Sequence, residues 1–508
     1  MSYSLSSVFI FLASLAIVLI RKRNVNSKGH PLPPGPPPLP VVGNLFDLPR
    51  TSPWLTFAAL SRKYGDVIHL KALNQSIIVV SSLEAATDLF EKRATIYSDR
   101  YQSVMLTDLI QVGWSFPFLN YGEKWRKNRK VFHQYLGSHA VRKYDHKQSN
   151  QVREFLRRLR LEPDQFFEHA HLLLAAIMMD IIYGIQITDV TNKHVQEAEA
   201  WGQSINQALE PGRFWVDFMP FLKYVPQWFP GAHFKRLVAD WRQSMHNSRD
   251  GPFSEAKSAH YNNGSTSSSV VTTALDDILE DPQRLEKELT IRDSVGTAFV
   301  AGVDTSAPTL QLFFFAMMSH PDVQKKAQAE LDIVVGAERL PTLNDRDNLP
   351  FVQAILKETL RWIPVAPLGV PHYTSTDDIY RGYHIPKGSV VIGSVWQILH
   401  DPDQYPEPER FKPERYLSSD GSLNLDIQDP GVACFGFGRR ICPGKYLAEN
   451  TLFLAIACTL HLFDIKPAKG PNGESLTTEL RMHDNFVPQP KAFPCSIVLR
   501  PGAEELIT

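Results

Sequence analysis

The residues best suited to chemistry lie near the carboxyl end of the chain, where a cysteine stands inside a glycine-rich stretch. Residues 435–444 read FGFGRRICPG, and Cys442 is one of four cysteines in the 508 residues. The cysteines form no C-x-x-C pair and no zinc-type spacing, so they predict neither a disulfide framework nor a structural metal site. The glycines permit a tight turn, and the apolar run that follows predicts a helix whose amino end favours an anionic sulfur. Cys442 is therefore a candidate thiolate ligand.

A second candidate site lies in a long apolar stretch, residues 290–319, which reads TIRDSVGTAFVAGVDTSAPTLQLFFFAMMS. Its length predicts a helix that crosses the whole core, and a capping pattern at Thr290 predicts where that helix starts. In its middle, residues 301–306 read AGVDTS. A glycine and an acid–hydroxyl pair are poor choices for the centre of an apolar helix. Because such local departures mark functional positions, Asp304 and Thr305 are candidate functional residues.

The cysteine loop and the helix motif together resemble the cytochrome P450 superfamily. Residues 435–444 match its signature F-x-x-G-x-R-x-C-x-G at every fixed position, and residues 301–306 resemble its A/G-G-x-D/E-T-T/S motif. The motifs stand in family order, and the resemblance covers nearly the whole chain after residue 31. It implies a mostly helical α+β fold, in which a large helical domain carries a small β-rich lobe. It also implies heme b (iron protoporphyrin IX), with Cys442 as the ligand to the iron.

The resemblance implies further residues around the haem. Arg440, in the cysteine loop, offers a planar guanidinium suited to a haem propionate. Trp125-Arg-Lys-Asn-Arg129 resembles the W-x-x-x-R helix of the family, and its i,i+4 spacing sets the indole N–H and the Arg129 guanidinium on one helix face. The cofactor-binding residues that the resemblance implies are Arg100, Trp125, Arg129, His372, Phe435, Arg440 and Cys442.

The resemblance also implies that Asp304 and Thr305 are catalytic, since the family uses this pair to supply protons while oxygen is activated. We expect Gly302 to leave room for dioxygen beside the iron. The Thr305 hydroxyl can bond the carbonyl of Ala301 and loosen the helix there. Pro308 has no N–H, so the carbonyl of Asp304 loses its helical partner and is free to bind water.

A structural cluster is predicted around Glu358-Thr-Leu-Arg361. Its i,i+3 spacing places the carboxylate and the guanidinium on one helix face, which by itself indicates only a surface ion pair. The family resemblance implies instead a buried cluster that includes a second arginine and holds the core around the haem loop. Arg415, within FKPER, is the favoured third member, and Arg410 is the alternative.

The amino end predicts a membrane anchor. Residues 8–20, VFIFLASLAIVLI, carry no charge, and a basic cluster at 21–23 follows them. With the four preceding residues the run has about 17 residues, the short end of a bilayer span. A cleaved signal peptide would carry its positive charge before the run, so an anchor is favoured over it, with a buried core helix as the other alternative. The predicted layout is anchor and basic flank at 1–23, proline-rich linker at 24–40 and monooxygenase domain at 41–508.

Charge and apolar patches indicate the partners. A net charge of −1 gives no sign of nucleic-acid binding. Residues 214–230 are rich in aromatics and predict either a segment that dips into the membrane or ordinary core packing. Residues 101–118 and 365–371 are expected to line an apolar substrate pocket. A solvated basic face, or a docking surface for an acidic electron donor, is predicted at Lys124, Arg126, Lys127 and Lys130.

These features together imply a haem-thiolate monooxygenase that inserts one oxygen atom from O2 into a lipophilic small molecule: a terpenoid, polyketide, steroid or aromatic. Electrons would come from NADPH through NADPH-cytochrome P450 reductase, and the domain would lie in the cytosol, anchored to the endoplasmic reticulum membrane. SPWLTF and FWVDFMPFLKYVPQWFPG resemble segments of fungal secondary-metabolism hydroxylases. A haem-thiolate isomerase or dehydratase and a non-catalytic haem-binding protein are the alternatives, and the pair Asp304–Thr305 disfavours both.

Overall fold

The computed structural model describes residues 29–49, 51–210, 212–263, 268–476 and 478–507. Residues 1–23, where the sequence predicts an anchor, lie outside the described residues. Helices make up most of the described chain, and its main sheet combines segments from the amino-terminal part with two strands from much later in the chain. The mostly helical α+β fold with a small β-rich lobe is therefore confirmed.

The α-helices of the described ranges differ widely in length, from single turns to a central helix of 36 residues. In chain order they are α1 (Pro53–Tyr64), α2 (Leu83–Ala86), α3 (Ala94–Tyr97), α4 (Glu123–Leu136), α5 (Asp145–Leu161), α6 (Phe166–Tyr183), α7 (Lys193–Ala208), α8 (Trp215–Phe218), α9 (Phe234–Asn263), α10 (Val270–Asp276), α11 (Arg284–Ser319), α12 (Pro321–Val334), α13 (Pro350–Trp362), α14 (Val395–Leu399) and α15 (Lys445–Leu462).

The strands are short, and most of them meet in one five-stranded sheet with the order β1-β2-β7-β4-β3. β2 and β7 pair in parallel, while the other neighbours in this sheet are antiparallel. Two hairpin-like pairs, β5 with β6 and β8 with β9, stand apart from it. The strands are β1 (Val67–Ala72), β2 (Gln75–Val80), β3 (Asp99–Arg100), β4 (His372–Tyr373), β5 (Asp378–Tyr380), β6 (Tyr383–Ile385), β7 (Val390–Gly393), β8 (Phe463–Pro467) and β9 (Cys495–Leu499).

α11 is the axis of the helical domain. Its 36 residues span about 54 Å at the usual rise per residue, and its apolar side chains are buried against α6 and other helices. The helix begins at Arg284, so the start predicted at Thr290 is wrong. Thr290 lies inside the helix, where its hydroxyl donates to the Glu286 carbonyl at 3.1 Å instead of capping. Because the two turns before Thr290 are polar and exposed, the apolar pattern did not reveal them.

One helical segment among the described residues, Pro163–Tyr183, has the length and apolar composition to cross a membrane. Most of its apolar window, 83%, is buried inside the protein. The segment includes α6, which packs along α11 more extensively than any other helix does. It is therefore a core helix of the domain.

The proline-rich segment is extended, as its composition predicts, and it lies against the β-lobe. The Pro34 carbonyl accepts the His69 N–H of β1 at 2.9 Å, and the Pro31 carbonyl accepts the His384 N–H of β6 at 2.7 Å. Gly35 approaches β1 so closely that a Cβ there would lie 2.0 Å from the His69 carbonyl oxygen. From Pro31 onward this segment is thus packed onto the folded domain.

The predicted structural cluster is present and fully buried. Arg361 donates to both Glu358 carboxylate oxygens, at 2.8 and 2.9 Å, and neither side chain has any exposed surface. Arg415 donates to the same carboxylate at 3.2 Å. Arg410 pairs with Glu407 instead, and 73% of its side chain is exposed. The third member is therefore Arg415, which ties α13 to the segment that precedes the cysteine loop.

Replacing Glu358 with Gln should destabilise the fold by about 3–5 kcal/mol, because it leaves two buried arginines without their shared carboxylate. The free energy of unfolding, from chemical denaturation followed by circular dichroism, measures this loss. Arg410→Ala is the matched control, and its exposed ion pair should contribute less than about 1 kcal/mol. Equal losses in the two variants would contradict the structural role of the cluster.

Candidate active site

The cysteine loop is a tight turn held by its glycines and by backbone hydrogen bonds. Gly436 and Gly438 have φ values of 78° and 52°, a region that favours glycine. A Cβ on Gly438 would lie 2.3 Å from the Phe90 carbonyl oxygen, so a side chain cannot be placed there. The N–H of Cys442 donates to the Phe435 carbonyl at 2.8 Å, closing the turn. The predicted role of the glycines is confirmed.

The Cys442 thiol faces an interior space. The residue is exposed to this space, yet it lies deep enough in the protein that burial raises the pKa of its thiol. The amides of Gly444 and Lys445, at the start of α15, oppose this by donating toward the sulfur, as does the charge of Arg129. The backbone thus stabilises a thiolate only in part, and a bound cation would complete its stabilisation.

Two buried donors next to the loop lack hydrogen-bond acceptors within the described residues. They are the Trp125 indole Nε1 and the Arg440 Nη1. The other nitrogens of Arg440 donate to the carbonyls of Ser98 and Leu119, each at 2.7 Å, which fixes the guanidinium 5.0 Å from the Trp125 ring. Buried donors without acceptors cost free energy. This pair therefore fits an anionic group such as a propionate.

A second buried arginine and a buried histidine lie beside the same space. Arg100 on β3 pairs in register with His372 on β4. Burial lowers the pKa of both side chains, and the charge of Arg440 lowers the pKa of Arg100 further. Burial also lowers the pKa of Arg440 itself to about 10. Positive charges gathered in the interior need a compensating anion. A cofactor with two carboxylates and a metal fits this set of donors together with the thiol.

Arg129 is positioned by the predicted helix α4, but its observed partner is the cysteine loop. Its Nη1 donates to the Ile441 carbonyl at 2.7 Å, and its charge lowers the pKa of the Cys442 thiol. Phe435 lies at the start of the loop with the ammonium of Lys445 5.5 Å from its ring. All seven predicted cofactor residues therefore lie in or beside the region around the cysteine loop.

Phe90 belongs to the site and was not predicted from the sequence. Its ring stacks on Phe437 of the cysteine loop at 5.4 Å and on His372 at 4.3 Å. It lies in an irregular helical segment between α2 and α3, in a sequence without special residues. Its importance depends on its neighbours in space, so no local signal could have identified it.

On the opposite side of the space, α11 presents its central motif. Ala301 is exposed although it lies within a buried helix, so it faces the interior space. The Thr305 hydroxyl donates to the Ala301 carbonyl at 2.8 Å, as predicted. A Cβ on Gly302 would lie 2.8 Å from the Met178 thioether, so Gly302 serves the close packing of α11 on α6. That Gly302 leaves room for dioxygen stays a prediction, and the structure shows that Ala301 is the exposed member of this pair.

Asp304 has an unusual electrostatic environment. Burial, together with the negative charge of Glu199, raises the pKa of its carboxyl from 3.8 to about 8. α11 stays helical through Pro308, and the Thr309 hydroxyl donates to the Thr305 carbonyl at 3.0 Å. A carboxyl that carries a proton near neutral pH can act as a proton donor.

An apolar cluster adjoins this space from the side of α7 and α9. Several of its members lie in residues 101–118, which were expected to line the pocket. Val370, in the other segment expected there (residues 365–371), packs against it. The Val300 side chain of α11 packs against the same cluster. Its buried members are Met105, Leu106, Ile110, Val112, Trp114, Phe118, Trp201, Ala208, Val216, Val238, Trp241 and Met245.

The fold and the site combine a thiol, buried positive charge and donors without acceptors, which fit a metal-containing, dianionic cofactor, and an apolar cluster lies beside them. Comparison with known proteins agrees, and the chain belongs to the cytochrome P450 family, whose model matches residues 33–492. This family binds heme b through a cysteine thiolate. The chain is accordingly a monooxygenase, an oxidoreductase of this family.

Fungal relatives align over almost the whole chain. Cytochrome P450 monooxygenase COX2 of Coprinopsis cinerea is 42% identical over 494 residues, covering 97% of this chain and 93% of that protein. A cytochrome P450 monooxygenase of Armillaria gallica is 39% identical over 510 residues, with 99% of each covered. Tryptamine 4-monooxygenase of Psilocybe cyanescens is 37% identical over 482 residues, with 94% of each covered.

The raised pKa of Asp304 predicts a specific pH dependence of stability. Its pKa rises from 3.8 to about 8 on folding, so stability present below pH 4 is lost as the pH rises toward 8. The Asp304→Asn variant has no carboxyl at this position, so it does not lose stability in this way as the pH rises. The melting temperature of the variant should exceed that of the wild type by a margin that widens up to pH 8 and is constant above it.

Thermal melting from pH 5 to pH 9 measures this margin. Asp164→Asn, a change at an exposed carboxyl, serves as the control and should shift the melting temperature little at any pH. A margin for Asp304→Asn that does not vary with pH would show that its carboxyl is not protonated in the folded protein.

Proposed function

We propose that this monooxygenase binds heme b with Cys442 as the ligand to the iron. The observation that carries the proposal is the pair of buried donors, Trp125 Nε1 and Arg440 Nη1, which lack acceptors in the described part of the chain and lie together at the cysteine loop. Arg100 adds positive charge for the propionates, and the neutral imidazole of His372 adds a ring N–H donor. Phe435 supplies the carbonyl that closes the loop under the macrocycle.

Different residues of the chain have different roles around the cofactor. When bound, a thiolate-ligated haem supplies the activation of O2. The cationic residues hold the propionates and neutralise their charge, and the amides of Gly444 and Lys445 steady the sulfur. On the α11 side, Asp304 holds a proton and the Thr305 hydroxyl is oriented by its hydrogen bond to the Ala301 carbonyl. The packed apolar cluster excludes water from the substrate.

We propose a lipophilic small molecule as the substrate: a terpenoid, polyketide, steroid or aromatic. The apolar cluster that includes Trp114, Phe118 and Trp201 supports this class. Tryptamine, in the name of one relative, is an aromatic compound. The acid–hydroxyl pair of α11 favours oxygen insertion over a haem-thiolate isomerase, dehydratase or haem carrier.

We propose NADPH-cytochrome P450 reductase as the electron donor, bound at the basic face of α4. Lys124, Arg126 and Lys130 are exposed there, which supports a docking surface for an acidic partner. Lys127 contributes less, because it already pairs with Glu123 at 2.9 Å and with Glu286 at 2.5 Å.

We propose that the domain is held at the endoplasmic reticulum membrane with its site in the cytosol. Residues 1–23 form the anchor, 24–40 the linker and 41–508 the catalytic domain. Large apolar side chains around α8 are exposed, which supports membrane contact over core packing. They are Trp215, Phe221, Tyr224, Trp228 and Phe229.

Cys442→Ser should abolish the red-shifted Soret band that marks thiolate ligation in the reduced, CO-bound protein, because a hydroxyl is a poor ligand for this iron. Cys434→Ala is the matched control. Cys434 lies eight residues earlier and packs against an apolar cluster, so this variant should keep the band. A thiolate spectrum in Cys442→Ser would sink the assignment.

Thr305→Ala should uncouple NADPH oxidation from oxygen insertion. The hydroxyl that bonds the Ala301 carbonyl is lost, so proton delivery slows and peroxide released per NADPH rises, on the order of tenfold. Thr305→Ser keeps the hydroxyl and should remain close to the wild type. An unchanged peroxide yield in Thr305→Ala would remove this residue from the proton path.

A further inference from the structure

The Asp304 carboxyl is directed away from the interior space and toward α7. Gly202 of α7 lies opposite it, and a Cβ on Gly202 would lie 1.8 Å from Asp304 Oδ2 and 2.8 Å from Cγ. Any side chain at position 202 would therefore displace the carboxyl. The glycine lies in the middle of a regular helix, with φ outside the left-handed region. Its backbone does not require glycine, so the missing side chain serves the contact with Asp304.

Glu199 stands one helical turn before Gly202 on the same helix. Positions i and i+3 share a helix face, so the Glu199 carboxylate lies on the face of α7 that the Asp304 carboxyl contacts at Gly202. Glu199 is exposed, and its Oε1 accepts the side-chain amide of Gln203 at 3.3 Å. One carboxylate in contact with solvent thus stands next to one carboxyl in the interior.

The two acids interact electrostatically. The negative charge of Glu199, second only to burial, raises the pKa of the Asp304 carboxyl. His171 lies on α6, which also packs against α11. Burial lowers the pKa of its imidazole, and the negative charge of Glu199 opposes this by raising it. Glu199 is thus the one charged group that bears on both the buried acid and the buried imidazole.

We propose that Glu199 is the solvent-side proton donor to Asp304 and that Gly202, by leaving room for the Asp304 carboxyl against α7, lets the two acids come close enough to exchange the proton. This inference rests on the proposed role of Asp304 in proton delivery. It adds an entry point for the proton on the α7 side of the fold and names two positioning residues, neither of which touches the cofactor or the substrate.

The proton balance is simple. The Glu199 carboxylate takes a proton from solvent and passes it to the Asp304 carboxylate after Asp304 has given its own proton inward. Each carboxyl gains one proton and loses one, and no electrons move. An acid with a raised affinity for protons at the inner end, beside a freely exchanging acid at the outer end, drives the proton inward and holds it there.

The test has a readout that does not depend on turnover. The infrared band of the protonated Asp304 carboxyl, assigned by its loss in Asp304→Asn, is titrated in the haem-loaded protein. Glu199→Gln removes a negative charge, so the midpoint of the titration should fall by about half a pH unit or more. Glu199→Asp keeps the charge and should restore a midpoint near that of the wild type.

The second readout is peroxide released per NADPH with reductase and no added substrate. Glu199→Gln should raise it about twofold or more, by slowing delivery of the proton. Gly202→Ala, which suits a helix better than glycine but displaces the carboxyl, should raise it as well. Glu168→Gln, an exposed acid of α6, is the control and should change neither readout.

The outcomes separate the two proposals. If Glu199→Gln leaves both the midpoint and the peroxide yield unchanged while Asp304→Asn raises the yield, this inference is overturned and the proposed function stands. If Asp304→Asn itself leaves the yield unchanged, the proposed role of Asp304 fails and this inference fails with it. Rescue by Glu199→Asp together with an effect of Gly202→Ala would support proton exchange between the two acids at this contact.

Discussion

The interior positive charge around Cys442 is the constraint on which the rest of the structure depends. Arg100, Arg440 and Arg129 are gathered at one end of the fold with few anionic partners, and an indole N–H beside them lacks an acceptor in the described chain. Such a set is unfavourable unless an anion occupies the space between its members. The cofactor is therefore part of the folding equilibrium, because its binding stabilises the folded protein that carries these charges.

The cysteine side of the cofactor space is held rigidly, whereas the α11 side is less tightly hydrogen-bonded. On the cysteine side, the Glu358 cluster, the glycine turn of the loop and the start of α15 hold the sulfur in a rigid frame. On the α11 side, a hydroxyl bonded to a backbone carbonyl and a proline four residues after Asp304 loosen the hydrogen-bond ladder. Rigidity suits a ligand whose position sets the electronics of the metal, whereas a loosened ladder leaves groups that can move protons.

Close helix packing links the core to this chemistry. Gly302 brings α11 onto Met178 of α6, and Gly202 brings α7 onto Asp304. These two contacts determine the rotation of α11, so that Ala301 faces the interior space while the Asp304 carboxyl points outward. An acid held at the outer side of the helix can exchange with solvent, and the small residue at the inner side leaves space beside the cofactor. The proposed proton path thus lies on the α7 side of α11, and the apolar cluster lies beside it.

The sequence alone determined the cysteine loop, the AGVDTS motif and the W-x-x-x-R helix, because each depends on local spacing: glycines for a turn, i,i+4 for one helix face, apolar periodicity for a buried helix. The fold class followed from the resemblance of these motifs to a known family. Tertiary structure alone decided that Arg415 rather than Arg410 completes the buried cluster, that Ala301 rather than Gly302 faces the cofactor space, and that Phe90 belongs to the site. These outcomes depend on which side chains from distant segments meet. The spacing of residues along the chain does not reveal these contacts, since they follow from how whole helices pack.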